Sequence, residues 1–368
     1  MRNSLSAALW LAAVCACLTR AERTCSSHES CIELTQCPEL AKLLPRPGGN
    51  RKPSASDQER LRAAHCGFQG SKAKVCCVLL PTYKECGPTT IPDKIINGNQ
   101  TQVMEFPWAV RLGYRSPYGG TAYQCGGALI SSRYVITAAH CTEKSSPPVT
   151  VRLGEHDART EVDCSILGNT SVCAPPAVDV RVEEVISHPE YVKSTRRRDG
   201  LWNDIALLRL ARPVEFTRGV APVCLPNDMP RGQAEKDQLM REQKGFTFTV
   251  VGWGRIGKDE DADVSDVLLK LNLQTMKHAD CAAKYSRFPN KLNEELQMCG
   301  IAKNGQDVCS GDSGGPLTSV MSLSNRKVRS VLRGIVSFGP TVCASEGVPA
   351  IFTRVTHYLP WIMSTLRP

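Results

Sequence analysis

Beyond Leu18 no apolar run in the chain approaches the roughly 20 residues that a membrane-spanning helix requires, and no lipid-anchor pattern is found at the C-terminus. Attachment to a membrane is therefore not expected. Paired two-residue cysteine spacings are missing, which argues against a zinc site. No nucleic-acid-binding module is visible, and the formal charge of +9 is spread along the chain, so it points weakly to anionic surfaces and to no nucleic acid. What the N-terminus does carry is Arg2 followed by an apolar stretch from Leu5 to Leu18, too short to span a bilayer and of the form of a cleaved secretory signal. Residues 1–21 are expected to be that signal, and the mature protein to be secreted.

Cysteine is abundant where those features are scarce. Of the 18 cysteines, Cys15 and Cys17 fall in the signal, which leaves 16, an even number suited to disulfides. Six of them, Cys25, Cys31, Cys37, Cys66, Cys76 and Cys77, crowd into a stretch with too few apolar residues for a core of its own. Disulfides are expected to hold it together, and sequence alone leaves their pairing open.

Three short motifs carry chemistry. Gly311-Asp312-Ser313-Gly314-Gly315-Pro316 sets a serine among glycines that let backbone approach a substrate carbonyl closely, with Asp307 six residues before the serine. A serine hydroxyl attacks poorly until a base takes its proton and N–H groups hold the oxyanion. His140, ending the β-branched run Val135-Ile136-Thr137-Ala138-Ala139-His140-Cys141, is the candidate base. Asp204, heading the apolar strand Asp204-Ile205-Ala206-Leu207-Leu208, is the candidate carboxylate that orients the imidazole and stabilises its charged form. Any one of these residues alone is better read as structural; the ordered set is not.

From Ile95 to the C-terminus the chain resembles the chymotrypsin-fold, trypsin-like serine proteases, whose triad runs His, Asp, Ser along the chain, an order different from subtilisins and α/β-hydrolases. The resemblance implies an all-β fold, a double antiparallel β-barrel closed by a C-terminal helix over Thr356–Leu366. The β-rich segments Val149–Leu153, Phe246–Val251, Arg333–Phe338 and Ala350–Val355 agree with it. Upstream, adjacent Cys76-Cys77 closing the cysteine cluster resembles the clip domain of arthropod haemolymph proteases. The organisation implied is a signal at 1–21, a clip domain at 25–77, a linker at 78–94 and a protease domain at 95–368. The same resemblance implies the pairs Cys25–Cys76, Cys31–Cys66, Cys37–Cys77, Cys125–Cys141, Cys164–Cys173, Cys281–Cys299, Cys309–Cys343 and Cys86–Cys224, the last joining the linker to the protease.

It also assigns roles. Lys94-Ile95-Ile96-Asn97-Gly98 matches the activation site; cleavage after Lys94 would free the Ile95 ammonium to pair with Asp312, although relatives more often have valine and glycine where this chain has Ile96 and Asn97. The N–H groups of Gly311 and Ser313 form the oxyanion hole. Asp307 lies at the base of a pocket that selects Arg or Lys by charge. Ser337-Phe338-Gly339 is the edge that binds substrate main chain, and Ala350 stands at a pocket wall usually glycine, which implies a lean toward Arg or, if the backbone shifts, no lean at all. Pro349 implies no sodium site. The loop 155–163 matches one where relatives bind calcium, with Glu155 and Asp163 as candidate ligands and a solvated charged loop as the alternative. No cofactor is expected for the chemistry itself. Asn99 and Asn169 head glycosylation acceptor patterns; Arg196–Arg198 and the polar stretch from Asp228 to Lys244 are expected to be exposed loops.

The function implied is that of a secreted zymogen of an endopeptidase in an extracellular cascade of arthropod haemolymph, serving prophenoloxidase activation and melanisation or the Toll pathway. Its expected partners are an upstream activating protease, a protein substrate (a downstream zymogen, prophenoloxidase or a Toll-ligand precursor) and a serpin. Two other readings compete: a non-catalytic clip-domain cofactor, disfavoured by the intact His140, Asp204 and Ser313, and a digestive trypsin, which leaves the clip domain and Cys86 unexplained.

Overall fold

The computed structural model describes residues 23–25, 29–41, 43–44, 53–89, 100–167, 170–191, 201–226, 247–255, 263–286, 292–302, 308–309, 311–322, 328–340 and 347–367. The signal, Lys94, Ile95, Asn99, Asn169, Arg196–Arg198, Asp228–Lys244, Asp307 and Cys343 lie outside them. The chain forms two units, one of residues 1–80 with 363–368 and one of residues 81–362.

The N-terminal unit contains an antiparallel sheet in the order β1-β3-β2, from β1 (Glu29–Glu33), β2 (His65–Gln69) and β3 (Lys72–Val78). Helix α1 (Ala55–Ala64) is started by a capping box: the Ser54 hydroxyl accepts from the Asp57 N–H, and the Asp57 carboxylate accepts from the Ser54 N–H, both at 3.1 Å. Disulfides join Cys25 to Cys76, Cys31 to Cys66 and Cys37 to Cys77. Contrary to the expectation from composition, there is a small core. Leu34, Leu40, Ala64 and Val75 are buried in one cluster with Cys37 and Cys77, so that disulfide is itself part of the packing.

The second unit contains two closed antiparallel barrels. The first follows the order β10-β11-β6-β5-β4-β7, from β4 (Ala109–Arg115), β5 (Thr121–Leu129), β6 (Tyr134–Thr137), β7 (Thr150–Leu153), β10 (Val178–Ser187) and β11 (Ala206–Leu210). Alternation is plain on β7, where Val151 and Leu153 are buried while Thr150 and Arg152 are only partly so. Between β7 and β10 runs a hairpin of β8 (Cys164–Leu167) and β9 (Thr170–Cys173), tied across by Cys164–Cys173. The second barrel follows the order β12-β13-β14-β17-β16-β15, from β12 (Thr247–Gly252), β13 (Leu269–Met276), β14 (Gln297–Ala302), β15 (Pro316–Ser322), β16 (Val328–Phe338) and β17 (Ala350–Arg354). Phe248, Val250, Leu273, Leu317, Val336 and Phe352 fill its interior. Helix α2 (His278–Lys284) precedes β14, and α3 (Val355–Thr365) follows β17.

The expected strands occur with ends shifted by a residue or so, except that Arg333–Phe338 is only the later half of β16. Its first half is fixed by pairing with Ser319–Ser322 of β15, a long-range match invisible in the local pattern. Further disulfides join Cys125 to Cys141, Cys281 to Cys299 and Cys86 to Cys224; Cys309 is also disulfide-bonded. Around Cys86 the chain is bound to the barrels by its backbone as well: the Gly87 N–H donates to the Pro222 carbonyl at 2.7 Å, and the Ser330 N–H to the Gly87 carbonyl at 3.0 Å.

Candidate active site

Asp204 begins the turn into β11 and is only 1% exposed. A carboxylate so far from water needs donors, and it has three. The His140 N–H donates to Oδ1 and the His140 Nδ1–H to Oδ2, each at 2.9 Å, and the Ser337 hydroxyl donates to Oδ2 at 2.5 Å. Burial alone would raise its pKa, but the His140 charge and these hydrogen bonds hold it below the ordinary carboxylate value. His140 answers in the opposite sense. Burial disfavours its cation, yet the charge and hydrogen bond of Asp204 more than offset this and raise its pKa, making the imidazole a stronger base.

The Ser313 segment is anchored by backbone hydrogen bonds on both its flanks. On one side the Gly126 N–H of β5 donates to the Ser313 carbonyl at 2.8 Å; on the other the Gly314 N–H donates to the Val336 carbonyl of β16 at 2.9 Å. Gly314 has φ +77°, and a Cβ there would fall inside the Thr137 hydroxyl and the Gly126 carbonyl oxygen. Only glycine lets the serine loop press against the end of β6, three residues before His140. Gly311, at φ +102°, is equally constrained, since a Cβ would lie 2.9 Å from the Gly254 Cα.

The carboxylate beside the serine is set apart from Asp204. Asp312 accepts from the Gly254 N–H at 2.8 Å and the Cys309 N–H at 3.0 Å. These two donors lower its pKa less than burial raises it, and the balance lies at about 6.

The residues expected to line the pocket lie at the end of β16, at the start of β17 and on the segment before the serine loop. Val308, which follows Asp307, is buried in one cluster with Val336 and Ala350, and its carbonyl oxygen lies 4.0 Å from where a Cβ on Gly339 would be. Ala350 is buried at the start of β17, opposite Gly300. Phe338 packs edge-on against the Tyr285 ring, centroids 5.9 Å apart, and the Tyr285 hydroxyl donates to the Pro349 carbonyl at 2.5 Å. Sequence reasoning gave Ser337 only a main-chain role; its hydroxyl on Asp204 went unread, because the motif around Asp204 contains no sign of a partner 133 residues away. The Gly126 amide was missed for the same reason. A cavity of about 60 Å³, lined by apolar Phe248, Met276 and Met298 as well as by His278, Arg333 and Arg354, includes none of His140, Asp204 and Ser313.

Glu155 and Asp163 are not solvated, being 6% and 8% exposed. The His156 N–H reaches Glu155 Oε1 and Asp163 Oδ2, both at 3.0 Å, so the two carboxylates converge on one amide. Glu155 Oε2 also accepts from Arg152 Nε at 2.6 Å, and Asp163 Oδ1 from the Thr160 hydroxyl.

Residues 95–362 match the trypsin family and residues 26–77 the regulatory CLIP domain of proteinases. The chain is a clip-domain serine protease. It is 37% identical to serine protease ea of Drosophila melanogaster over 91% of this chain and 88% of that protein. It is 40% identical to phenoloxidase-activating factor 3 of Holotrichia diomphalia over 83% of each. Among solved structures it is similar to the Drosophila Grass clip serine protease of the Toll pathway, with TM-score 0.64, 30% identity and coverage of 92% of this chain and 94% of that one. As a clip-domain serine protease it is a serine endopeptidase with a chymotrypsin-like fold, and its many disulfides are consistent with an extracellular location.

The Asp312 environment predicts how the stability of the protein depends on pH. Because the folded pKa is raised, the folded state holds the proton more tightly. Its stabilising effect is complete below the ordinary value of 3.8 and is lost as pH rises to about 6, a difference of about 3 kcal/mol. In a Ser313→Ala background, denaturant unfolding should show stability falling over that window. Asp312→Asn should flatten it; an unchanged slope would contradict the assignment.

Proposed function

We propose that the protein is the secreted zymogen of a trypsin-like endopeptidase that cleaves after Arg in preference to Lys, in an extracellular cascade of arthropod innate immunity. The observation that carries the chemistry is the hydrogen bond from His140 to the buried Asp204 carboxylate, with Gly314 of the serine loop pressed against Thr137, three residues before that histidine. His140 takes the Ser313 Oγ proton as Oγ bonds to the scissile carbonyl carbon, and the oxyanion rests on the N–H groups of Gly311 and Ser313. The C–N bond breaks as His140 returns the proton to the leaving amine. Water, deprotonated by His140, then hydrolyses the ester. Asp204 keeps the imidazole oriented and stabilises its cation throughout.

Cleavage after Lys94 supplies the Ile95 ammonium, which pairs with Asp312. A buried carboxylate that is costly to ionise alone, at a pKa of about 6, becomes favourable once a cation reaches it. That is the physical basis of the switch. The Cys86–Cys224 disulfide spans the cleavage point, so the clip domain stays attached after activation. An upstream protease performs this cleavage and a serpin ends the activity. The downstream substrate is prophenoloxidase, another clip-domain zymogen or a Toll-ligand precursor; support for this comes from relatives named for phenoloxidase activation and for the Toll pathway.

For specificity, Asp307 attracts the substrate cation. The Ala350 methyl displaces water that would bridge a lysine ammonium to it, while the arginine fork reaches the carboxylate directly. The loop of Glu155 and Asp163 fits calcium by its donor chemistry, since two buried carboxylates converge on the His156 N–H and, among the described residues, Arg152 on Glu155 is the one side-chain cation bonded to either. These two residues would hold the ion, which would stabilise the loop and take no part in the chemistry.

After activation by a trypsin-like protease, the wild type should hydrolyse an arginyl peptide and Ser313→Ala should not; an inactive wild type would favour the cofactor reading. With paired peptides differing only in the residue before the bond, Ala350→Gly should bring the Lys rate up toward the Arg rate. Equal rates in the wild type would sink the pocket argument. Calcium should raise the melting temperature by several degrees, reversibly with a chelator, and Glu155→Gln should lose that response. A melting temperature indifferent to calcium rules the site out.

A further inference from the structure

We propose that Arg111 selects an acidic side chain among the first three residues after the scissile bond, a reading that rests on the protease function above. On β4, Arg111 pairs with Gly126 of β5 and with Arg152 of β7. Residues paired across a ladder project to the same face. A Cβ on Gly126 would lie 3.4 Å from the Gly315 Cα, so this face looks onto the serine loop. The Arg111 guanidinium is 4.7 Å from the Tyr123 ring centroid and 5.6 Å from that of Trp253, the neighbour of Gly254, whose N–H binds Asp312. It therefore stands beside the serine loop on the β5 flank. Substrate residues before the scissile bond lie along Ser337–Gly339 on the β16 flank, so those after it run past Arg111.

Among the described residues this guanidinium makes no hydrogen bond or ion pair. The nearby acids are committed elsewhere. Glu155 Oε2 takes Arg152 Nε at 2.6 Å, Asp179 Oδ2 takes Arg152 Nη1 at 2.8 Å, and Asp179 Oδ1 takes the Tyr123 hydroxyl at 3.2 Å. Asp266 lies 3.8 Å from Arg159. Glu155 and Asp266 act on Arg111 only through space. A partly buried cation with its N–H donors unused is costly. Cation–π contact with the two aromatic rings offsets part of that cost and keeps the guanidinium beside them. An extended peptide advances about 3.3 Å per residue, so only the first few residues beyond the bond come within reach. The chain's own activation bond is followed by Ile95-Ile96-Asn97, with no acid to offer.

The test uses the activated enzyme and internally quenched peptides with one common sequence up to Arg, carrying Asp, Glu, Asn, Gln or Lys at each of the next three positions. The wild type should favour an acid over its amide by about tenfold in kcat/KM at one of these positions. In Arg111→Gln the acid-to-amide ratio should fall to near one, and in Arg111→Glu lysine should become the preferred residue. A wild type that cleaves these peptides without an acid preference overturns the proposal, and so does an acid preference that survives in Arg111→Gln. A short arginyl amide with a small chromogenic leaving group separates the two levels. A wild type unable to cleave it overturns the protease reading and this proposal together, whereas one that cleaves it but ignores the acid overturns the proposal alone.

Discussion

A carboxylate buried to 1% exposure has to be given donors, and Asp204 draws them from both barrels. His140 comes from the end of β6 in the first barrel, and Ser337 from the end of β16 in the second. Even its backbone is shared, because the Thr353 hydroxyl of β17 donates to the Asp204 carbonyl at 2.7 Å. Separating the barrels would strand a negative charge in a dry site. The catalytic geometry and the docking of the two barrels are therefore one requirement, and losing either donor costs orientation of His140 as well as stability.

Asp312 is the instructive contrast. It is buried like Asp204, but its donors are two neutral amides, with no imidazole and no hydroxyl. The two carboxylates consequently shift in opposite directions, Asp204 down and Asp312 up to about 6. The difference lies in the charge of the donors, not in the depth of burial. A site left short of one cation can be controlled by delivering one, and a new chain terminus is a cation made by proteolysis. The glycines around it serve the same arrangement, since at Gly254 a side chain would displace the Asp312 carboxylate.

Much of this was legible in the chain before any coordinates. The candidate catalytic residues sit in contiguous motifs with their local context, so His140, Asp204 and Ser313 could be picked out together, and the family resemblance they carry implied the fold class. The clustered cysteines marked a second unit. What stayed hidden depends on contacts between distant segments. Ser337 looks like a strand residue until β16 is set beside Asp204, and the register that does so is fixed by pairing with β15 and β17. The loop from Glu155 to Asp163 is dense with charge, and its sequence suits solvent as well as it suits a closed turn; only the folded loop shows both carboxylates buried on one amide. Arg111 is one of 45 basic residues in the chain and has no motif at all. Its setting is made by Tyr123 from the paired strand and Trp253 from the other barrel.

On the proposed reading, the two flanks of the serine loop divide the work of recognition by charge. Before the bond, a carboxylate at the pocket base receives a cation; after it, a guanidinium receives an anion. A substrate with both is a local dipole aligned across the serine, and one with neither the arginine nor the acid loses on both sides. The segment around Lys94 is of that second kind, a lysine followed by two isoleucines. Specificity built from two independent electrostatic contacts multiplies discrimination without tightening either one. The same contacts that favour a downstream bond make the enzyme a poor cutter of its own precursor. Each activation then depends on a protease of different preference, which is the property a cascade needs if a stray active molecule is not to convert the whole pool.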